Sequence, residues 1–213
     1  MTPITGLDLT GFTALEPGVW TDGQGLLLSV HFFDLVPDLP ASLDEPERLR
    51  HGLARFAAAA GAGLIEAELG EVDALPAVRQ LIKVPQSQGP DGHGAAGGRG
   101  GHGQAFVGSW TVPRARCSVV VKVQAGEGRT TGLREALILN EVGPMHYFTA
   151  HPYGADITGG LPSHAADDER WDARFPDHPL TRVRAALRRI TPSLELHEGF
   201  KALPPFAAPA ALS

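Results

Sequence analysis

A chain of 213 residues with 18 basic against 24 acidic side chains, a formal charge of −6, is long enough to bury a real core. It lacks the clustered cations on which sequence-independent nucleic-acid binding relies, and no apolar run approaches the roughly 18 residues that span a bilayer. A single cysteine excludes an internal disulfide, and 26 glycines with 18 prolines beside 43% hydrophobic residues read as long loops around a core rather than as disorder.

The opening MTPITGLDLTG has neither a basic n-region nor an apolar h-region, which reads as a cytoplasmic chain. The first ordered signal is a hairpin, 18–21 and 26–33, around the turn cluster Asp22-Gly23-Gln24-Gly25. After Pro37 and Pro40 a helix is predicted over 44–60, with Asp44 as N-cap, Glu47 three residues on and Pro46 in the first turn. Leu49, Leu53, Phe56, Ala57 and Ala60 form its apolar face, Arg48 and Arg55 lie off it, and Gly61 and Gly63 end it. Alternation predicts strands over 63–69 and 77–84; Leu64, Glu66 and Glu68 share one face of the first, Ile65, Ala67 and Leu69 the other.

The glycine-rich stretch 89–103 is predicted to be a flexible insertion, followed by strands over 104–112 and 117–124. The second is apolar on both faces apart from Lys122 and should run mid-sheet. Cys117 opens that strand as a small core residue would, although neighbouring arginines leave a reactive thiol open. Thr130 or Thr131 can cap a short helix over 133–139, while 136–142 reads equally as a strand. Residues 143–162 read as irregular and 167–174 as a short helix with acids in its first turn. A helix over 179–190 buries Leu180, Val183, Leu187 and Ile190, and Pro192 stops it. The tail 204–213 is expected to be loose unless Phe200 or Phe206 docks nearby. Together these give a single α+β domain over 1–213: one antiparallel sheet flanked by helices, with a long irregular C-terminal segment.

The motifs exclude more than they assign. Gly92, Gly94, Gly97 and again Gly98, Gly100, Gly103 match G-x-G-x-x-G, but a strand follows instead of the helix whose N-terminus would take a pyrophosphate. Val119-Val120-Val121-Lys122 with Glu135 imitates a kinase nucleotide lobe, yet the catalytic Asp loop and D-F-G are missing. H-E-x-x-H, Walker A, G-x-S-x-G and C-x-x-C are absent, so catalytic residues stay unknown and no cofactor is expected. His93 and His102, flanked by glycines, suit only adventitious chelation.

The densest polar cluster is His164, Asp167, Asp168, Glu169, Asp172, Asp177 and His178, preceded by His146 and His151. Carboxylates with imidazoles can bind a divalent metal or supply general acid–base groups. His164 with Asp168 and Asp172 is the candidate metal set, the two aspartates sharing a helix face at i, i+4. The competing reading is structural: first-turn acids, Asp177 or His178 capping the final helix, and Tyr147, Tyr153, Trp171 and Phe175 seating the loop.

The element order carried by Pro17-Gly18-Val19-Trp20 through Phe33, the helix from Asp44, Glu71-Val72-Asp73-Ala74-Leu75-Pro76-Ala77 and the two long strands resembles the PsbP-like superfamily over about residues 17–140. Gly159-Gly160-Leu161-Pro162 and Phe175-Pro176-Asp177-His178-Pro179-Leu180 are similar to segments of uncharacterised actinobacterial proteins. The superfamily resemblance implies an antiparallel sheet flanked by helices and an accessory or binding role without a shared active site. The expected function is therefore a non-enzymatic binding or accessory protein, with an unidentified protein partner and neither nucleic acid nor membrane. Its recognition surface lies on the sheet or on segment 144–178. The alternative is a small metal-assisted hydrolase using His and Asp residues of 146–178.

Overall fold

The computed structural model describes residues 2–86, 103–128 and 131–208. The strands are β1 (Ile4–Gly6), β2 (Thr13–Glu16), β3 (Val19–Thr21), β4 (Leu26–Phe33), β5 (Gly63–Val72), β6 (Leu75–Pro85), β7 (Gln104–Pro113), β8 (Ser118–Gly126) and β9 (Glu195–Leu196). Seven of them form one antiparallel sheet in the order β2-β3-β4-β8-β7-β6-β5, while β1 pairs with β9. The helices are α1 (Pro46–Ala59), α2 (Leu133–Val142), α3 (Pro144–Tyr147), α4 (Pro179–Ile190) and α5 (Glu198–Lys201). None among the described residues is long and apolar enough to cross a membrane.

Period-two alternation sends the two faces of β6 to different helices. Ala77 and Leu81 join the cluster of Leu180, Val183 and Leu187 from α4, whereas Val78 and Ile82 join that of Leu49 and Leu53 from α1. Helix α4 can approach so closely because β7 has Gly108 beneath it: a Cβ there would stand 2.5 Å from Leu187 Cδ1 and 2.7 Å from Val183 Cγ1. β8 runs mid-sheet as its apolar run predicts, and Cys117 beside it is buried, which pushes its thiol pKa up and leaves it an unreactive packing residue.

Several local expectations give way to tertiary packing. α1 begins at Pro46 with Glu45 at its N-cap and no side-chain cap bond, because Asp44 is held in a turn with Ser42. Phe56 is 48% exposed and the third buried residue of α1 is Ala54, so the buried stripe is rotated toward Ala54. A β-bulge at Ile65 breaks the predicted alternation of β5. Leu64 pairs with Ile82 and Glu66 with Leu81, so Leu64 faces α1 and Glu66 the opposite side. The loop foreseen between β5 and β6 shrinks to Asp73-Ala74, both at positive φ (47° and 62°), the geometry of a tight hairpin turn.

Residues 133–142 are helical, entered through Gly132 in the left-handed region; Thr131 donates to the Gly128 carbonyl and does not cap. The insertion 89–103 lies outside the described residues except for Gly103, as do Thr130, His93, His102 and the tail beyond 208. Phe200 is buried in α5 ahead of the tail, and within the tail Phe206 packs on the α1 cluster and Pro205 bridges to Arg114.

Candidate functional site

The C-terminal segment is seated by charges. Arg134, Arg184 and Lys83 are each no more than 1% exposed, a burial that charged side chains tolerate only with partners. Arg134 donates to Asp172 at 2.8 Å, to Thr181 Oγ1 at 2.9 Å, and to the carbonyls of Ala166 and Asp168. Arg184 donates to the same Asp172 carboxylate, to Glu66 and to the Asp167 carbonyl. Lys83 Nζ donates to Asp167 at 2.7 Å and to His164 Nε2 at 3.0 Å. Tyr147 stacks on His164 with ring centroids 5.0 Å apart, while Trp171 and Phe175 pack on the Ile138–Tyr147–Ala166 cluster.

This frame distributes the predicted metal set among separate tasks. His164 is buried against Lys83. Asp168 is half exposed and accepts from Arg170 N–H at the head of a 3-10 turn, Glu169–Arg174. Asp172 lies between the two guanidiniums. The i, i+4 argument fails because this stretch turns three residues at a time and Asp168 itself is extended. Of the other candidates, Asp167 pairs with Lys83 and Glu169 with Arg188, while His146 bonds back to the Val142 carbonyl at the end of α2 and His151 accepts from Tyr153 N–H.

Among the described residues Glu127, Glu135 and His178 converge, with ligand atoms all within 4.8 Å of one another. His178 Nε2 lies 3.8 Å from Glu127 Oε1 and 3.7 Å from Glu135 Oε1. Glu127 follows the last residue of β8; its Oε1 accepts from Gly132 N–H (2.9 Å) and its Oε2 from Gln104 N–H (2.8 Å). Glu135 lies in the first turn of α2, and His178 is the N-cap of α4, its ring edge-on to Phe106. A cleft of about 470 Å³ opens over Glu127 and His178, walled by Leu133, Phe175 and Pro176, with Arg174 and Arg182 also in its lining.

Two features fix the chemistry of this floor. His178 Nδ1 accepts from Leu180 N–H at 3.2 Å, which places the ring proton on Nε2, facing the carboxylates. The carboxyls are pushed apart. Burial raises Glu127, but the His178 ring and the N–H groups of Gly132 and Gln104 outweigh it and hold the group below the usual range. Burial raises Glu135 above that range, and the charge of Glu127 adds to the effect. Two carboxyls so separated supply one ionised acceptor and one group biased toward its neutral acid.

Two other concavities offer less. A groove of about 640 Å³ over Ile4, Leu7, Leu9 and Trp20 has no titratable side chain in its lining. A pocket of about 270 Å³ is lined by Glu66, His164, Asp167 and Arg184, groups already committed to the ionic frame.

Glu127 was not singled out by sequence reasoning, and neither were Lys83, Arg134 and Arg184 as buried charges. The signal for Arg184 was available: it follows Val183 on the stripe from Leu180 to Leu187, where a cation needs buried partners. Likewise Arg134 precedes buried Ile138 by one turn, and Lys83 continues the Ala77, Leu81 face of β6. Glu127 left no such signal, since its role depends on three distant elements meeting. No family model matches the chain, and no curated protein matches it.

Proposed function

We propose that the chain is a non-enzymatic binding or accessory protein whose recognition site is the cleft between the start of α2 and the N-terminus of α4. The observation that supports this most is the buried Nε2–H of His178, which lines the cleft and has no hydrogen-bond partner among the described residues. Apolar walls around a few convergent polar groups are the usual make-up of a small-molecule site. Residues 174–178 belong to the C-terminal segment, and the accessory role agrees with the PsbP-like resemblance.

The rival reading, a metal-assisted hydrolase, has a matching donor set in Glu127, Glu135 and His178. It meets a difficulty at His178. A ligating imidazole offers its lone pair to the metal and donates from its other nitrogen, whereas this Nδ1 accepts from Leu180 N–H. Metal at Nε2 would cost α4 its cap.

The test is ligand-observed NMR of a mixed fragment set against wild type and Leu133→Arg, whose side chain would fill the cleft mouth. Fragments that bind wild type should be lost from the variant; equal binding to both would move recognition elsewhere. Metal content of tag-free protein, with melting shifts in Zn²⁺ and Mn²⁺, addresses the rival, because a metal held by the native state raises its midpoint.

A further inference from the structure

Given the binding cleft proposed above, its innermost group selects among ligand chemistries. We propose that Glu127, Glu135 and His178 form a subsite for a hydroxyl of an uncharged polyol or sugar, whose carbon skeleton lies against Phe175 and Leu133.

The argument is one of donors and acceptors. His178 Nε2 carries a proton, its side chain is 9% exposed, and it stands 3.7–3.8 Å from both carboxylates, beyond hydrogen-bond reach. Glu135 Oε2 is likewise buried and without a hydrogen-bond partner among the described residues. An atom that accepts from the imidazole and donates to the ionised Glu127 carboxylate satisfies both sides of this gap. A hydroxyl does both. An ammonium group has only donors and would set N–H against N–H. A carboxylate or phosphate would accept from His178 but would confront ionised Glu127, with no unengaged cation among the described residues of the lining. The guanidiniums in the lining are already engaged, Arg134 by Asp172, Arg174 by Glu141 and Arg182 by Asp22. A metal ion needs the lone pair that Nε2 lacks. Phe175 and the prolines on either side of Asp177-His178 give the flat apolar wall on which the C–H face of a sugar ring packs.

The experiment titrates the intact protein with myo-inositol, methyl α-glucopyranoside, sodium sulfate, methylammonium chloride and zinc chloride. The His178 ring nitrogens and the Phe175 ring protons are followed by NMR. His178→Asn separates the two roles of the residue, since asparagine caps a helix well but places no N–H where Nε2 stands. The expected result is perturbation of both residues by the two polyols alone, with at least tenfold weaker binding in His178→Asn and a melting temperature close to wild type. If sulfate, methylammonium or zinc perturbs these residues and the polyols do not, the hydroxyl subsite is overturned while the cleft remains a binding site. Polyol binding unchanged in His178→Asn also overturns the subsite. If no probe perturbs His178 or Phe175, and the fragment set finds no binder either, both readings fall.

Discussion

Helix α1 and segment 164–174 are both tied to the β5–β6 half of the sheet, by opposite means. α1 lays Leu49, Leu53 and Ala54 on Leu64, Ala67 and Val78, an aliphatic contact without buried charge. Segment 164–174 has no α-helix or strand, only two short 3-10 turns, and hangs instead on Lys83, Arg134 and Arg184. An aliphatic contact weakens in proportion to what is removed and tolerates sliding. A buried ionic frame is costly to desolvate and fixes one register, because each charge left alone is penalised in full. Short 3-10 turns can thus be placed as firmly as an α-helix, and the N-cap of α4 at the cleft floor follows directly on them.

The strongest way to break this comparison is Asp172→Asn. Asp172 accepts from both Arg134 and Arg184, and the amide removes the charge that compensates two buried guanidiniums. The expected loss is about 3–5 kcal/mol, read as a shift in the urea midpoint. A loss below about 1 kcal/mol would mean that the carbonyls of Ala166, Asp167 and Asp168 alone satisfy the arginines. On the aliphatic side Leu49→Ala should cost about 2–5 kcal/mol through the cavity it leaves, whereas half-exposed Phe56→Ala should cost under about 1 kcal/mol. Equal effects at Leu49 and Phe56 would contradict the burial pattern of α1.

The same contrast explains what could be read beforehand. α4 was legible to the residue because Pro179 and Pro192 bracket a 3.6-residue stripe, and β8 because its run Val119–Val123 is apolar on both faces apart from Lys122. In α2 the run Ala136-Leu137-Ile138-Leu139 fits helix and strand alike, and only its packing with α3 and the 3-10 turn Ala165–Asp167 decides between them. The bulge at Ile65 adds one residue to an otherwise regular strand and carries no composition signal. The C-terminal acids were visible as a cluster. Their partners were not, since Lys83 and Asp167 are 84 positions apart and a carboxylate facing a guanidinium reads the same as one facing a metal. The floor of the cleft was legible only in its weakest form, as His178 capping α4.

A pH titration sharpens the comparison from the ionic side. Burial, with the Lys83 charge adding and the Asp167 carboxylate opposing, lowers the His164 pKa from 6.5 to about 4. Between those values the unfolded chain binds a proton that the native chain refuses, so His164 destabilises the fold as pH falls from 6.5 towards 4 and adds nothing further below that. The shift corresponds to at most about 3 kcal/mol. His164→Gln keeps an acceptor for Lys83 and should flatten the stability curve in that window. Other carboxyls shift on folding too, burial raising Glu135, so the informative quantity is wild type minus variant. A difference that does not change between pH 6.5 and 4 would show that His164 is solvated in the native state.

The smallest effects compare two caps. His178 accepts from Leu180 N–H at the head of a twelve-residue helix whose inner face is buried in the main core; Asp168 accepts from Arg170 N–H at the head of a six-residue 3-10 turn at the surface. Freeing an N–H at the first should loosen an element on which Val183 and Leu187 depend, and at the second only a turn already held by Asp172. His178→Ala is therefore expected to cost about 1 kcal/mol and His178→Asn to restore most of it, while Asp168→Ala costs no more than about 0.5 kcal/mol. Urea midpoints of the three variants decide the matter. If Asp168→Ala proves as costly as Asp172→Asn, the half-exposed Asp168 carboxylate is part of the ionic frame, and the boundary between that frame and the surface lies one turn further out than the contacts of Arg134 place it.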